Sequence, residues 1–199
     1  MLRKASFLII SATIWLTSCT KDPINNLSDS ESQVFSTNHD KSVDFKTFKT
    51  FSISDSVTVV QNDRSVKALT SLDKDLLTRI ITNMQQLGYT YVAANKKPDV
   101  GLSAARVTNT YLNVGSTPYS SYWGGYYGGY GYGYPSYYTY ETSESFWSVS
   151  MLDLKNADAT KQLNVIWDAQ IRGNGIGNSN YIDGMVDSLF GQSGYLKIN

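Results

Sequence analysis

Hydrophobic positions along this chain fall into two periods, and each period marks a kind of element. Leu69, Leu72, Leu76, Leu77, Ile80, Ile81, Met84 and Leu87 recur at intervals of three and four, which predicts an amphipathic helix. Thr70 or Ser71 can cap its start, and Gly88 stands where a left-handed C-terminal residue belongs. Before this helix, Phe45, Phe48, Phe51 and Ile53 lie among threonines and lysines, a β-favouring mixture. After it, Pro98 and Asp99 punctuate the chain, and Val100 to about Thr108 predicts a strand with Val100, Leu102 and Ala104 on one face. Ser145 to Leu154 predicts another. In Leu163 to Ile171, Leu163, Val165, Trp167, Ala169 and Ile171 alternate with Asn164, Ile166, Asp168 and Gln170, so all five are expected on one buried face. The polar run Lys155 to Lys161 joins these two strands as an antiparallel hairpin. Glycines from Gly173 to Gly177 lead to a last helix near Tyr181 to Phe190, with Ile182, Met185, Val186, Leu189 and Phe190 as its buried stripe. The order β-α-β, hairpin, α predicts an α+β fold, a mostly antiparallel sheet packed against two helices.

Two stretches fit neither period. At the N-terminus, Arg3 and Lys4 precede an apolar run from Phe7 to Leu16, the layout of a secretory signal. The run is about ten residues, half of the roughly twenty that a membrane-crossing helix needs. It ends in Leu16-Thr17-Ser18-Cys19, which resembles the lipobox of bacterial lipoproteins. That resemblance implies cleavage between Ser18 and Cys19, a thioether-linked diacylglycerol on Cys19 and an acyl group such as palmitate on its new amine. Two or three acyl chains hold a protein stably on a bilayer. Residues 1–18 are thus expected as the signal peptide, 19–39 as the lipidated N-terminus and a polar, flexible tether, and 40–199 as one domain. In the lipoproteins this resembles, an aspartate after the cysteine often retains the protein in the inner membrane, so the resemblance, with Thr20 at that place, implies the outer membrane.

The second stretch, within residues 115–140, is a tyrosine- and glycine-rich insertion between strands. Tyr122, Trp123, Tyr126, Tyr127, Tyr130, Tyr132 and Tyr134 make it a candidate binding loop, because tyrosine offers a flat apolar face and a hydroxyl at low rotamer cost. Stacking on sugar rings or on another protein would suit it. The alternative is a low-complexity segment tolerated at the tip of a hairpin.

Charge narrows the partners. The chain has 17 basic and 17 acidic residues, and no run of lysine or arginine favours nucleic acid or a polybasic membrane patch. With one histidine and one cysteine, no His/Cys metal site or Cys-His nucleophile can form, and no cofactor motif is present. Glycine-tyrosine repeats from Gly124 to Gly133 lack the lysine of a phosphate-binding loop. His39 beside Asp40 is expected to be solvated or locally hydrogen-bonded. Arg106 and Arg172 are expected in salt bridges or solvent. Asp40 with Asp44 could form a pair, and Asp44, Asp99, Asp153 and Asp168 are the carboxylates a hydrolase would draw on.

Asp44-Phe45-Lys46-Thr47-Phe48-Lys49-Thr50-Phe51 resembles the opening of a family of bacterial lipoproteins catalogued as domain of unknown function 4136. Further marks follow in order: Leu87-Gly88-Tyr89, Pro98-Asp99-Val100, the tyrosine-glycine insertion, Leu152-Asp153-Leu154 and Val165-Ile166-Trp167. Phe48 stands where tyrosine is common. The resemblance implies an α+β domain on a lipid anchor at the outer membrane, and it brings no assigned activity or catalytic residue. The expected function is a non-enzymatic binding or scaffolding domain of the cell envelope. Its partners would be the lipid bilayer through Cys19 and envelope proteins or glycans; the alternative is a hydrolase of cell-wall or surface glycans. Oligomeric state is open.

Overall fold

The structure is a computed structural model that describes residues 27–61, 64–108, 113–116, 120–123, 126, 131–132, 137–140 and 145–198. Its elements, in chain order, are β1 (Val34–His39), β2 (Thr50–Ile53), β3 (Val57–Gln61), β4 (Arg64–Ala68), α1 (Ser71–Gln86), β5 (Thr90–Tyr91), β6 (Val100–Thr108), β7 (Asn113–Ser116), α2 (Ser120–Trp123), β8 (Gly131–Tyr132), β9 (Tyr137–Tyr140), β10 (Ser145–Asp153), α3 (Ala157–Thr160), β11 (Gln162–Arg172) and α4 (Ser179–Gly191). The fold class is α+β. The main sheet has the order β1-β11-β10-β6-β2-β5, with β3 also on β6, β4 on β3 and β8 on β11.

The sheet is mixed, which corrects the expectation of a mostly antiparallel one. β1, β11, β10 and β6 run antiparallel to one another in turn. β2 and β3, however, both run parallel to β6, with Phe51 opposite Val100 and Thr58 opposite Ala105. Between β3 and β6 the chain makes the antiparallel return strand β4, then α1 and β5. A connection that long lets β6 return parallel to β2 and β3, which a tight hairpin turn does not allow.

α1 begins with a reciprocal cap. Thr70 Oγ1 accepts from the Asp73 amide at 3.3 Å, and Asp73 Oδ2 accepts from the Thr70 amide at 2.8 Å. Gly88 closes the helix at φ +102°. The helix lies with α4 on one face of the sheet, which we call the inner face. There Leu76, Ile80 and Met84 of α1 and Ile182, Met185 and Leu189 of α4 meet Leu102, Trp147, Met151 and Trp167 in one buried cluster. Trp167 Nε1 donates to Ser193 Oγ at 3.0 Å and Trp147 Nε1 to the Ile176 carbonyl at 2.8 Å, so both indoles are buried with their polar atom satisfied. Arg79 pins α1 to α4 through Asp187, whose Oδ1 also accepts from Asn83 Nδ2 at 2.8 Å.

Two further expectations change. Residues 34–39, assigned by sequence to the tether, form β1 on the edge of the sheet beside β11. The docked chain begins earlier still. Ser32 Oγ accepts from the Asn174 amide at 3.2 Å and Gln33 Nε2 donates to the Asn174 carbonyl at 3.3 Å. Gly173, at φ +112°, lets this segment approach: a Cβ there would lie 2.3 Å from the Ser32 carbonyl oxygen. Polarity alone made this segment look like a tether, but its ordering partners are more than a hundred residues away.

The strict alternation of β11 is also broken. Met151 pairs with Trp167, yet the next residue, Leu152, pairs with Val165, so Ile166 is the extra residue of a bulge. Trp167, Ala169 and Ile171 face the helices, whereas Leu163 and Val165 belong to a separate cluster on the outer face.

Between β6 and β10 the described residues form three short pieces. β7 and β9 form an antiparallel ribbon, β8 pairs parallel with Gln162 and Leu163 of β11, and α2 brings Trp123 onto the sheet. Trp123 packs with Leu152, Leu154, Ala157 and Leu163, and its Nε1 donates to Ser103 Oγ at 3.0 Å. Gly101 makes room for it: a Cβ there would lie 2.7 Å from both the indole ring and Leu154.

Candidate functional site

A groove of about 390 Å³ opens at the β2–β5 edge of the sheet. Its residues come from separate parts of the chain. After Ile53 the backbone turns, with the Ser54 amide donating to the Leu102 carbonyl at 2.9 Å and Ser54 Oγ to the Ser56 carbonyl at 2.9 Å. That turn holds Asp55 exposed at the groove. Leu77 and Ile81 of α1 supply an apolar wall, β5 supplies Tyr91, and the turn after it supplies Asn95. Tyr122 and Tyr126, from the insertion, complete the lining.

The aromatic rings are held at defined angles. Tyr91 meets Phe51 edge-on at 5.4 Å, and Tyr122 meets Trp123 edge-on at 4.9 Å. Tyr126 lies 5.6 Å from Tyr122, and Lys67 Nζ stands 5.4 Å from the centre of the Tyr122 ring. Tyr91 and Tyr126 stay 44% and 49% exposed. The Tyr122 hydroxyl is pushed up to about 12, first by burial and then by Tyr126, Asp55 and Tyr91. It is therefore a neutral phenol at physiological pH, able to donate and to accept.

Of the candidate loop residues, the structure brings Tyr122 and Tyr126 together and places Trp123 beneath them, fully buried. Trp123 anchors the segment and presents no surface. Tyr132 takes part through its backbone in β8. Tyr127, Tyr130 and Tyr134 lie outside the described residues, as do Ser18 and Cys19.

The carboxylates singled out by sequence are engaged separately. Asp44 caps a 3-10 turn by accepting from the Lys46 amide at 3.1 Å. Asp99 Oδ2 accepts from the amides of Lys49 and Thr50 at 2.7 and 3.0 Å, and its own amide donates to Thr50 Oγ1 at 2.9 Å. Asp153 receives the Asn156 amide at 3.0 Å. Asp40 receives the amide and hydroxyl of Ser42, and these bonds hold its carboxyl below the usual range. Asp168, on the outer face, accepts from Asn38 Nδ2 at 3.4 Å, and burial pushes its carboxyl up. His39, half-buried, stacks on Tyr195 with ring centres 3.8 Å apart. Arg106 pairs with Asp73 at 4.0 Å, as expected, and also lies over Trp147 at 5.6 Å; Arg172 lies over Phe146 at 4.7 Å. Among the described residues no group of three or more His, Cys, Asp or Glu could hold a metal ion, and no helix is long and apolar enough to cross a membrane.

The motifs quoted from the sequence now have a geometry, and a family model fits them: Domain of unknown function (DUF4136) matches residues 35–193. This chain belongs to the DUF4136 family. It is similar over 84% of its length to a DUF4136 family protein from Bacteroides thetaiotaomicron, of which it covers 99%, at 26% identity and a TM-score of 0.65. It is more distantly similar to the PelC dodecamer from Paraburkholderia phytofirmans, at 11% identity and a TM-score of 0.43, covering 84% of this chain and 99% of that one. A PDZ domain protein from Parabacteroides distasonis follows at 16% identity and a TM-score of 0.41, covering 81% of this chain and 36% of that one. None of the curated proteins matches the chain.

In this DUF4136 domain the recognisable motifs do structural work. The first and third, around Thr50 and Asp99, are the two halves of one hydrogen-bonded clamp that joins β2 to β6. Val165-Ile166-Trp167 is the β11 bulge. Asp55, Tyr91 and Asn95 of the groove fall outside those motifs. Their one signal in the sequence was an exposed aromatic and a polar turn at strand ends, which is too common to single out.

Proposed function

We propose that this DUF4136 protein is a cell-envelope lipoprotein, anchored to the outer membrane through acylated Cys19, whose domain binds or scaffolds rather than catalyses. The observation that carries the reading is the lipobox Leu16-Thr17-Ser18-Cys19 directly after a short apolar run.

The fold supports it through distance. Eight residues, 20–27, separate Cys19 from Ser28, where the docked turn begins. At ~3.3–3.6 Å per residue that length spans at most about 30 Å, so the β1 edge stays near the lipid. The groove opens at the opposite edge, five strand spacings away, or roughly 24 Å at ~4.8 Å each. A ligand then reaches it from the side away from the anchor. A binding role is supported by the groove itself, with half-exposed tyrosines above an apolar wall and one carboxylate, Asp55, among its described lining residues. A hydrolase of glycans would call for two carboxylates there.

Intact-mass measurement on protein taken from native membranes tests the anchor. The expected species lacks residues 1–18 and carries diacylglycerol and acyl mass on Cys19, and Cys19→Ser abolishes both changes and releases the protein from the outer-membrane fraction. An unmodified Cys19 would overturn the anchoring. Photo-crosslinkers at Tyr91 and Tyr126 in intact cells test the binding role, which fails if they capture no specific envelope component.

A further inference from the structure

We infer that the groove between β2, β5 and α2 is a site for a neutral saccharide, gripped by Tyr91 and Tyr126 as apolar platforms and by Asp55, Asn95 and the Tyr122 hydroxyl as hydrogen-bonding groups. The inference rests on the reading of this domain as a binding module and names the ligand class of that module.

The polar groups share one groove. Tyr91, Tyr122, Tyr126 and Asp55 all line it, and the rings of Tyr122 and Tyr126 lie 5.6 Å apart. Asp55 and Asn95 are both exposed there, one an acceptor and the other a donor and acceptor. A sugar ring has the complementary build: hydroxyls around its rim, which alternately donate and accept, and a C–H face that lies on an aromatic ring. The half-exposed rings of Tyr91 and Tyr126 offer that surface, and their other sides are braced by Phe51 and by Tyr122 with Trp123. Bracing fixes the rings before the ligand arrives, so little rotamer entropy is lost on binding.

Charge and size separate this ligand from its rivals. Among the described lining residues none is Lys or Arg, and Asp55 repels an anion. The nearby cation, Lys67, has its Nζ against the Tyr122 ring. A cationic ligand would need ring faces turned toward one point. Here Tyr122 already faces Lys67, and Tyr91 is packed against Phe51. The volume of about 390 Å³ falls in the ~300–1,000 Å³ range of small-ligand clefts, which suits a short stretch of a glycan.

The test uses the mature lipidated protein in phosphatidylcholine nanodiscs, which carry no sugar headgroup. Maltotetraose, cellotetraose and tetra-N-acetylchitotetraose are titrated beside the anionic tetragalacturonate, with calorimetry and tryptophan fluorescence as readouts. At least one neutral tetrasaccharide is expected to bind saturably, with tetragalacturonate about tenfold weaker or absent. Tyr91→Ala and Asp55→Asn are each expected to weaken it about tenfold or more, with thermal unfolding of Asp55→Asn unchanged. The inference is overturned if no neutral saccharide saturates at millimolar concentration, if the anion is preferred, or if both variants bind as well as the parent. Should the saccharides fail while crosslinkers at Tyr91 and Tyr126 capture a protein, the saccharide assignment falls and the binding module stands. If both fail, both readings fall.

Discussion

The two faces of the sheet are built on opposite rules. On the inner face, large side chains such as Leu102, Trp147, Met151 and Trp167 project toward α1 and α4 and fill the space between layers. On the outer face the same strands present Gly101, Ser103, Ala105, Ser148 and Ser150. There the described part of the insertion covers the sheet with the Trp123 indole, laid against the strand where Gly101 has no side chain, and with Tyr122 beside it. Burial on the inner face is apolar and satisfied at both indoles. The outer face is more polar: Ser148 and Ser150 are buried in mid-strand, and Asp168, opposite Ser150, holds a carboxyl pushed up by burial. Each layer keeps a hydroxyl with no hydrogen-bond partner among the described residues, Tyr89 on the inner side and Ser150 on the outer. The inner face carries the fold, and the outer face positions the insertion whose tyrosines line the groove.

The largest difference between the two faces is expected at their indoles. Trp167→Ala is expected to cost about 3–5 kcal/mol, measured by denaturant unfolding, because it opens a cavity in the inner layer and strands Ser193. Gly101→Ala is expected to cost less, about 1–3 kcal/mol, since overpacking is relieved by letting Trp123 lift away. Its signature is a change in tryptophan near-UV dichroism with the far-UV signal kept. Equal losses, or global unfolding by Gly101→Ala, would mean that the outer layer is as integral as the inner one.

A smaller effect is expected at Asp168, with the opposite sign. Burial raises its carboxyl in the folded chain, so the folded state holds a proton more tightly than the unfolded one. Stability from this group is present below the unfolded value near 3.8 and is lost as pH rises through the folded one. Asp168→Asn is therefore expected to raise the melting temperature at pH 7 and to give no gain at low pH; a loss at pH 7 would show the carboxylate to be favourably held. The smallest effect is spectroscopic. Tyr122 should keep its proton past pH 10 and ionise near pH 12, visible as a missing component when ultraviolet titrations of the parent and Tyr122→Phe are subtracted. The folded chain binds this proton when the unfolded chain has lost it, so its contribution to stability fades as pH rises from 10 to about 12.

How much of this was legible follows from the range of the interactions. α1 was readable because its stripe, its Thr70 cap and Gly88 act within one or two helical turns. β6 and the β10–β11 hairpin were readable for a similar reason: their pattern is local and the connection is short. The β3–β4 hairpin went unread, because β4 is mostly exposed and carries no apolar alternation. Four carboxylates looked equivalent in sequence, yet the fold gives three of them to backbone amides and leaves Asp168 across the sheet from Asn38. The loop tyrosines were visible as composition, but that Trp123 is an anchor and Tyr122 and Tyr126 are lining could not be, since burial depends on Gly101 and Ser103 far away in the chain.

α1, α4, the three long strands, the α+β class and the family were thus readable from the chain alone, since all rest on spacing and on motifs within short windows. Only the tertiary structure decided the parallel course of β2 and β3, the bulge at Ile166, the recruitment of Val34–His39 into the sheet and the groove. Each of these depends on which distant backbone lies alongside, and a strand's polar and apolar order is the same whichever neighbour it pairs with. Tyr91 and Tyr126 became a pair of platforms because α2 folds back over the strands that hold the β5 edge.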